Sequence, residues 1–247
     1  MKKIKTLLIT VLIIMVSSCS KDKDTYTISG TMKNGDGAEM YLMEMENSGV
    51  KMLDTIKIKD KGGFSATEHL QEESIFILQG PNDYIMLCPK IGEKIKINAD
   101  FDNMAVTYTI TGSEESAKLK VLSDKQTMTR LTLKAMSDQL QMMDISNADS
   151  MRQEVAKKYK LLRNNQREFI IGYINNNLGS LTTLVAIYRN MEGRPLIDMN
   201  EDFDIYKKVL QGLEKMYPTN KNTENFRNFI KHYEQAENNA SIVDKNK

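Results

Sequence analysis

Hydrophobic and polar positions change their spacing several times along this chain. Leu7 to Val16, LLITVLIIMV, is an apolar run, interrupted by Thr10 alone, behind Lys2, Lys3 and Lys5. From Tyr26 to about Gly112 short alternating segments are broken by frequent turns, the pattern of half-buried strands. TYTISGTM gives a first strand, and NGDG at 34–37 supplies turn glycines. EMYLMEM then puts Met40, Leu42 and Glu44 on one face and Tyr41, Met43 and Met45 on the other. VKMLDTIKIK, a turn at Gly62-Gly63, FSATEHL, SIFILQG, YIMLC, KIKINAD and VTYTITG follow. About eight short strands at regular spacing predict an antiparallel sandwich or barrel rather than a parallel sheet.

After Gly112 the period becomes helical. Ser113 is placed to cap a helix whose first turn holds Glu114 and Glu115, which suit the positive end of the helix dipole. Leu133, Met136, Leu140 and Met143 recur at steps of three and four, and DISNADS at 144–150 interrupts them. A second helix is predicted from Ser150, where Ser150 and Gln153 have capping-box spacing. Its stripe is Met151, Val155, Tyr159, Leu162, Phe169, Tyr173 and Ile174, ending at NNNLGS. The two helices are expected to pair antiparallel. LTTLVAIYR, Phe203 to Met216 and Phe226 to Tyr233 predict shorter helices, with Pro195 and Pro218 near their boundaries. The expected fold class is therefore α+β: an N-terminal antiparallel β-sandwich or barrel-like domain, a helical hairpin, then further helices.

The apolar run at the start is too short to span a bilayer, which takes about 17–25 residues. With its lysines it has the form of a secretory signal. Val16-Ser17-Ser18-Cys19 resembles a bacterial lipobox, with cleavage between Ser18 and Cys19 and a lipid on Cys19. Anchoring through more than one acyl chain is stable, because each buried CH₂ adds about 0.8 kcal/mol. Ser20 to Asp24 is then a charged tether or a surface-sorting signal. The predicted organisation is a signal peptide at 1–18, lipidated Cys and tether at 19–24, a β-rich domain at 25–112, a helical region at 113–238 and a frayed tail at 239–247.

Composition narrows the chemistry. Loss of the three leader lysines lowers Lys+Arg from 34 to 31 against 33 acids, a charge of −2, so no basic surface points to nucleic acid. Seventeen Met and no Trp favour adaptable packing. With Cys19 lipidated, Cys88 is the one remaining cysteine: a small buried hydrophobe inside YIMLC, or a free thiol open to intermolecular chemistry.

No P-loop, G-x-G-x-x-G or G-x-S-x-G occurs, and His69 and His232 have no zinc-site spacing. Asn98, Asp100 and Asp102 alternate like the start of a calcium loop but lack its Gly and distal Glu, so they read as a strand connection. Glu72-Glu73 and Glu114-Glu115 read as solvated faces. No catalytic, cofactor or metal residues are assigned.

The order of features resembles one family. A lipobox, YTISGTM, LDTIKIKDKGGFSA, ITGSEES opening a helix and FIIGYINNNLGSLTTLVAI are together similar to the domain of unknown function 4369 (DUF4369) family. The resemblance spans about residues 25–190. It implies a Bacteroidetes envelope lipoprotein whose β-rich domain and helical segment usually precede a thioredoxin-like domain. Asn177-Leu178-Gly179-Ser180 stands where family members often have Asn-Pro-x-Ser. No cysteine follows Cys88, so the Cys-x-x-Cys chemistry of the longer relatives is not carried over. The expected function is a lipid-anchored, non-enzymatic binding module of the cell envelope, at the outer membrane, with a protein or glycan partner. The alternative is an accessory to a thioredoxin-like partner acting in trans.

Overall fold

Alternation of the kind seen in TYTISGTM buries every second side chain, and a computed structural model describing residues 24–46, 49–142 and 148–245 shows two sheets built that way. In the first, β1 (Thr25–Lys33) is flanked by β4 (Gly63–His69) and β7 (Lys94–Asp100), and β8 (Thr109–Thr111) follows β7. In the second, β2 (Glu39–Glu46) lies between β3 (Gly49–Lys57) and β5 (Phe76–Gln79), with β6 (Tyr84–Leu87) beyond β5. Tyr26, Ile28 and Met32 of β1 and Ile95 and Ile97 of β7 meet Met40 and Leu42 of β2, Leu78 of β5 and Ile85 and Leu87 of β6 in one core. Burying each such side chain is worth about 1.5–3 kcal/mol.

The two sheets face each other without closing, so the domain is a sandwich and not a barrel. The second sheet is antiparallel throughout, whereas β1 runs parallel to β7, Ile28 beside Ile95. Alternation is identical for either strand direction, which is why the expectation of a purely antiparallel domain missed this pair. Close approach to β7, from β1 on one side and from the end of β8 on the other, explains two motif glycines. Gly30 has φ +155° and Gly112 has φ +85°, and a Cβ at either would lie 1.6 or 2.0 Å from a β7 carbonyl oxygen, of Ile97 and Lys94 respectively.

After the short helix α1 (Met104–Thr107), the helical layer comprises α2 (Glu114–Gln141), α3 (Ala148–Asn176), α4 (Thr182–Ile187), α5 (Phe203–Met216) and α6 (Lys221–Lys245). Strand β6 joins the layers: Ile85 and Leu87 enter the sandwich core, while Met86 and Cys88 face the helices. This second core takes Leu119 and Leu122 from α2, Ile170 and Ile174 from α3, Val209 and Leu213 from α5, and Phe226 and Ile230 from α6. Both cores are drawn from residues between Tyr26 and Ile230, so a chain beginning at Ser20 carries all of them.

Ser113 caps α2, its Oγ accepting from the Ser116 N–H at 3.3 Å. Thr129 facing Gln166 at 2.9 Å, and Gln139 facing Met151, show that α2 and α3 run antiparallel. The buried apolar face of α2 begins earlier than expected, at Leu119, and residues 143–147, with most of DISNADS, lie outside the described residues. Helix α3 is already formed at Ala148, with Asp149 in its first turn, so Ser150 sits inside the helix rather than capping it. Helix α5 has the expected bounds. Helix α6 is longer than expected at both ends, reaching Lys245 through the segment read as frayed. It starts at Lys221 because Asn220 Oδ1 accepts from the Asn222 N–H at 2.9 Å, a side-chain cap. Between α4 and α5, β9 (Asn190–Met191) and β10 (Arg194–Pro195) pair around Glu192-Gly193, both at positive φ.

Candidate functional site

Ser18 and Cys19 lie outside the described residues. Cys88 is fully buried, its backbone N–H donating to Ser116 Oγ at 3.0 Å. Burial, with the charges of Glu115 and Glu73 adding to it, pushes the thiol well above its ordinary range. A thiol kept protonated and shielded is a poor nucleophile; Cys88 is unpaired and packs as a small buried hydrophobe, the first of the two readings its sequence context offered. His69 Nδ1 lies 2.5 Å from the Asp24 carbonyl, and His232 is exposed on α6. Asp100 accepts from the Asp102 N–H at 3.1 Å and from Asn34 Nδ2 at 2.9 Å, which makes it a turn residue. Among the described residues no group of three His, Cys, Asp or Glu is placed to hold a metal ion.

The acidic pairs are not simply solvated. Glu115 is 5% exposed and binds Lys118 Nζ at 2.7 Å, while Lys118 also reaches Glu114 at 3.0 Å. Ser180 Oγ donates to Glu115 Oε2. Ser180 and Thr182 hydroxyls lie 2.7 Å apart, and the Tyr173 hydroxyl donates to Thr182 Oγ1 at 2.7 Å. Burial is the main cause pushing Tyr173 up to about 12, so it remains a neutral donor here.

A second seam joins the β domain to the last two helices. Tyr217 OH donates to Glu73 Oε2 at 2.8 Å, Asn220 Nδ2 to the Glu73 carbonyl at 2.7 Å, and the Lys221 N–H to Glu72 Oε2 at 3.0 Å. Lys221 Nζ pairs with Glu44 at 2.5 Å. Sequence reasoning missed these roles because each carboxylate finds its partner more than 60 residues away.

Between these seams the outer face of the second sheet and the helical layer enclose a groove. One cleft of about 570 Å³ has Met45 and Met86 on the sheet side and Val185, Tyr188, Phe226 and Phe229 on the helix side. An adjoining cleft of about 810 Å³ runs along α2 past Arg130 and Lys134, and the two share Tyr84, Met86, Gln126 and Asn190. Side-chain amides, Asn222 and Asn225 among them, interleave with the aromatic rings of the first cleft. Tyr188 packs edge-on against both Phe226 and Phe229, with ring centroids 6.3 and 6.1 Å away.

Arg189 enters this groove just beyond α4. Its Nη1 donates to Gln126 Oε1, and its Nε and Nη2 are buried with no hydrogen-bond acceptor. Burial lowers its affinity for its proton, and the groups that act on its charge from around it are the tyrosines 84, 108 and 173. In the neighbouring cleft Asp83 Oδ2 accepts from the Ala105 N–H at 2.9 Å while Oδ1 is buried without a partner. The sequence signal for Arg189 was a lone cation closing the apolar run LTTLVAIY, and it was not singled out.

An open β-sandwich whose second sheet is buried on its outer side by a helical layer defines an α+β protein with two cores. Residues 26–119 match the family model described as Domain of unknown function (DUF4369), the family the sequence motifs resemble. The match takes in the whole sandwich and the start of α2 as far as Leu119, including Glu115; Ser180 and Arg189 lie beyond it. No curated protein matches the chain significantly.

Proposed function

We propose that this chain is a lipid-anchored cell-envelope protein acting as a non-enzymatic binding module, and that it holds its ligand in the groove between sandwich and helices. The groove carries the reading: rings, methionines and side-chain amides line one cleft, the mixture of apolar surface and few polar groups that ligand sites use. The lipobox at Val16 to Cys19 supports the anchor, and Ser20 to Asp24 serves as the tether.

The test has two arms. Cys19→Ala in the full chain should move the protein from the membrane to the soluble envelope fraction. The chain from Ser20, immobilised, should retain a component of an envelope extract that Val185→Arg, which fills the cleft, does not retain. Equal retention by both chains contradicts the groove as the binding surface.

A further inference from the structure

Arg189 carries an unused recognition edge. Its Nη1 is engaged by Gln126. Nε and Nη2 have no acceptor, and the nearby Tyr84 hydroxyl meets hydrogen-bond geometry at neither. Those two nitrogens form one side of the guanidinium, the fork that grips a carboxylate through two parallel N–H···O bonds. A cation withdrawn from water without an opposite charge is costly to the fold; the groups that act most on this one are tyrosines, and Glu46 is the one carboxylate among the described residues that line the cleft. The cleft it borders is otherwise mostly apolar, with Met45, Met86, Val185, Phe226 and Phe229 in its walls.

We propose that the groove binds an organic monocarboxylate, with the carboxylate seated side-on against Nε and Nη2 of Arg189 and the apolar body laid over those side chains. This rests on the reading of the groove as a ligand-holding surface. One fork and one charge suit a planar monoanion; among the described residues no second Lys or Arg lines this cleft to meet a phosphoryl group. Since the fork is closed to solvent, a neighbour must yield when the acid enters. Tyr188, Tyr84 and Phe229, 53%, 43% and 42% exposed, are groove side chains with room to do so.

The test is calorimetric titration of the chain from Ser20 with 3-phenylpropanoate and octanoate, each against its primary amide, and with inorganic phosphate. The acids are expected to bind at least about tenfold tighter than the amides, as a charge-assisted pair does. Arg189→Gln should erase that preference, and Arg189→Lys should keep part of it. Absence of acid binding, equal binding of acid and amide, phosphate bound more tightly than either acid, or a preference that survives Arg189→Gln each overturns the proposal. Should Arg189→Gln fail to fold, Val185→Glu, four residues before Arg189, supplies an internal carboxylate: it should abolish acid binding, and unchanged binding overturns the proposal. Retention of an envelope component by the groove without acid selectivity overturns the ligand class and leaves the binding-module reading standing. Loss of both overturns both.

Discussion

Ser180 Oγ donates a hydrogen bond to Glu115 Oε2, joining two residues 65 positions apart, one on the first turn of α2 and the other in the loop after α3. The Glu115 carboxylate faces Lys118 on its other side, so it is paired and hydrogen-bonded while 5% exposed. Two of the motifs quoted for the family resemblance, ITGSEES and FIIGYINNNLGSLTTLVAI, thus meet in this contact.

Removing one partner takes a buried hydrogen bond from the other. Ser180→Ala is expected to cost about 1–3 kcal/mol. Glu115→Ala, after which Lys118 keeps Glu114 as a partner, is also expected to cost about 1–3 kcal/mol. Urea unfolding of the two single variants and the double variant checks this: a coupling energy of about 0.5–3 kcal/mol is expected, whereas additive losses would mean the contact contributes nothing.

Cys88 is expected to be inert in the folded chain. With the chain from Ser20, a thiol reagent such as Ellman's reagent should react slowly in buffer and stoichiometrically in denaturant, because burial and nearby Glu115 and Glu73 hold the thiol protonated. Rapid native labelling would restore a direct redox role.

Arg167 grips Asp202 with two bonds of 2.6 Å, tying α3 to the residue before α5. The guanidinium hydrogen bond is the main cause holding the Asp202 carboxyl below its ordinary range. A depressed carboxyl stabilises the fold above its unfolded value and loses that contribution as pH falls through its folded value. Melting temperature should therefore hold steady from neutral pH to about pH 4 and drop below it. Asp202→Asn should melt lower at neutral pH and show a shallower acid limb; parallel pH profiles would contradict the assignment.

Local periodicity made much of this fold legible. TYTISGTM, KIKINAD and the segments between them became strands because alternation alone decides which side chains are buried. Ser113 was readable as a cap because capping is set within three residues. Strand direction was not readable: Ile28 and Ile97 alternate alike whether β1 and β7 run parallel or not. Nor was the groove, since Met45, Met86, Arg189 and Phe229 come together only when the helical layer closes over the second sheet. Glu115 and Glu73 looked like surface charges for the same reason, because the hydroxyls that receive them, on Ser180 and Tyr217, are distant in sequence.

The methionines offer the most direct measurement of where a ligand sits. Met45 and Met86 line the cleft, whereas Met142, the C-cap of α2, and Met216, at the end of α5, stand 86% and 59% exposed and line neither cleft. With methyl-labelled methionine in the chain from Ser20, NMR spectra recorded before and after addition of the retained envelope component should show Met45 and Met86 shifting while Met142 and Met216 hold their positions. Shifts confined to Met142 and Met216, with Met45 and Met86 unchanged, would contradict the groove as the binding surface.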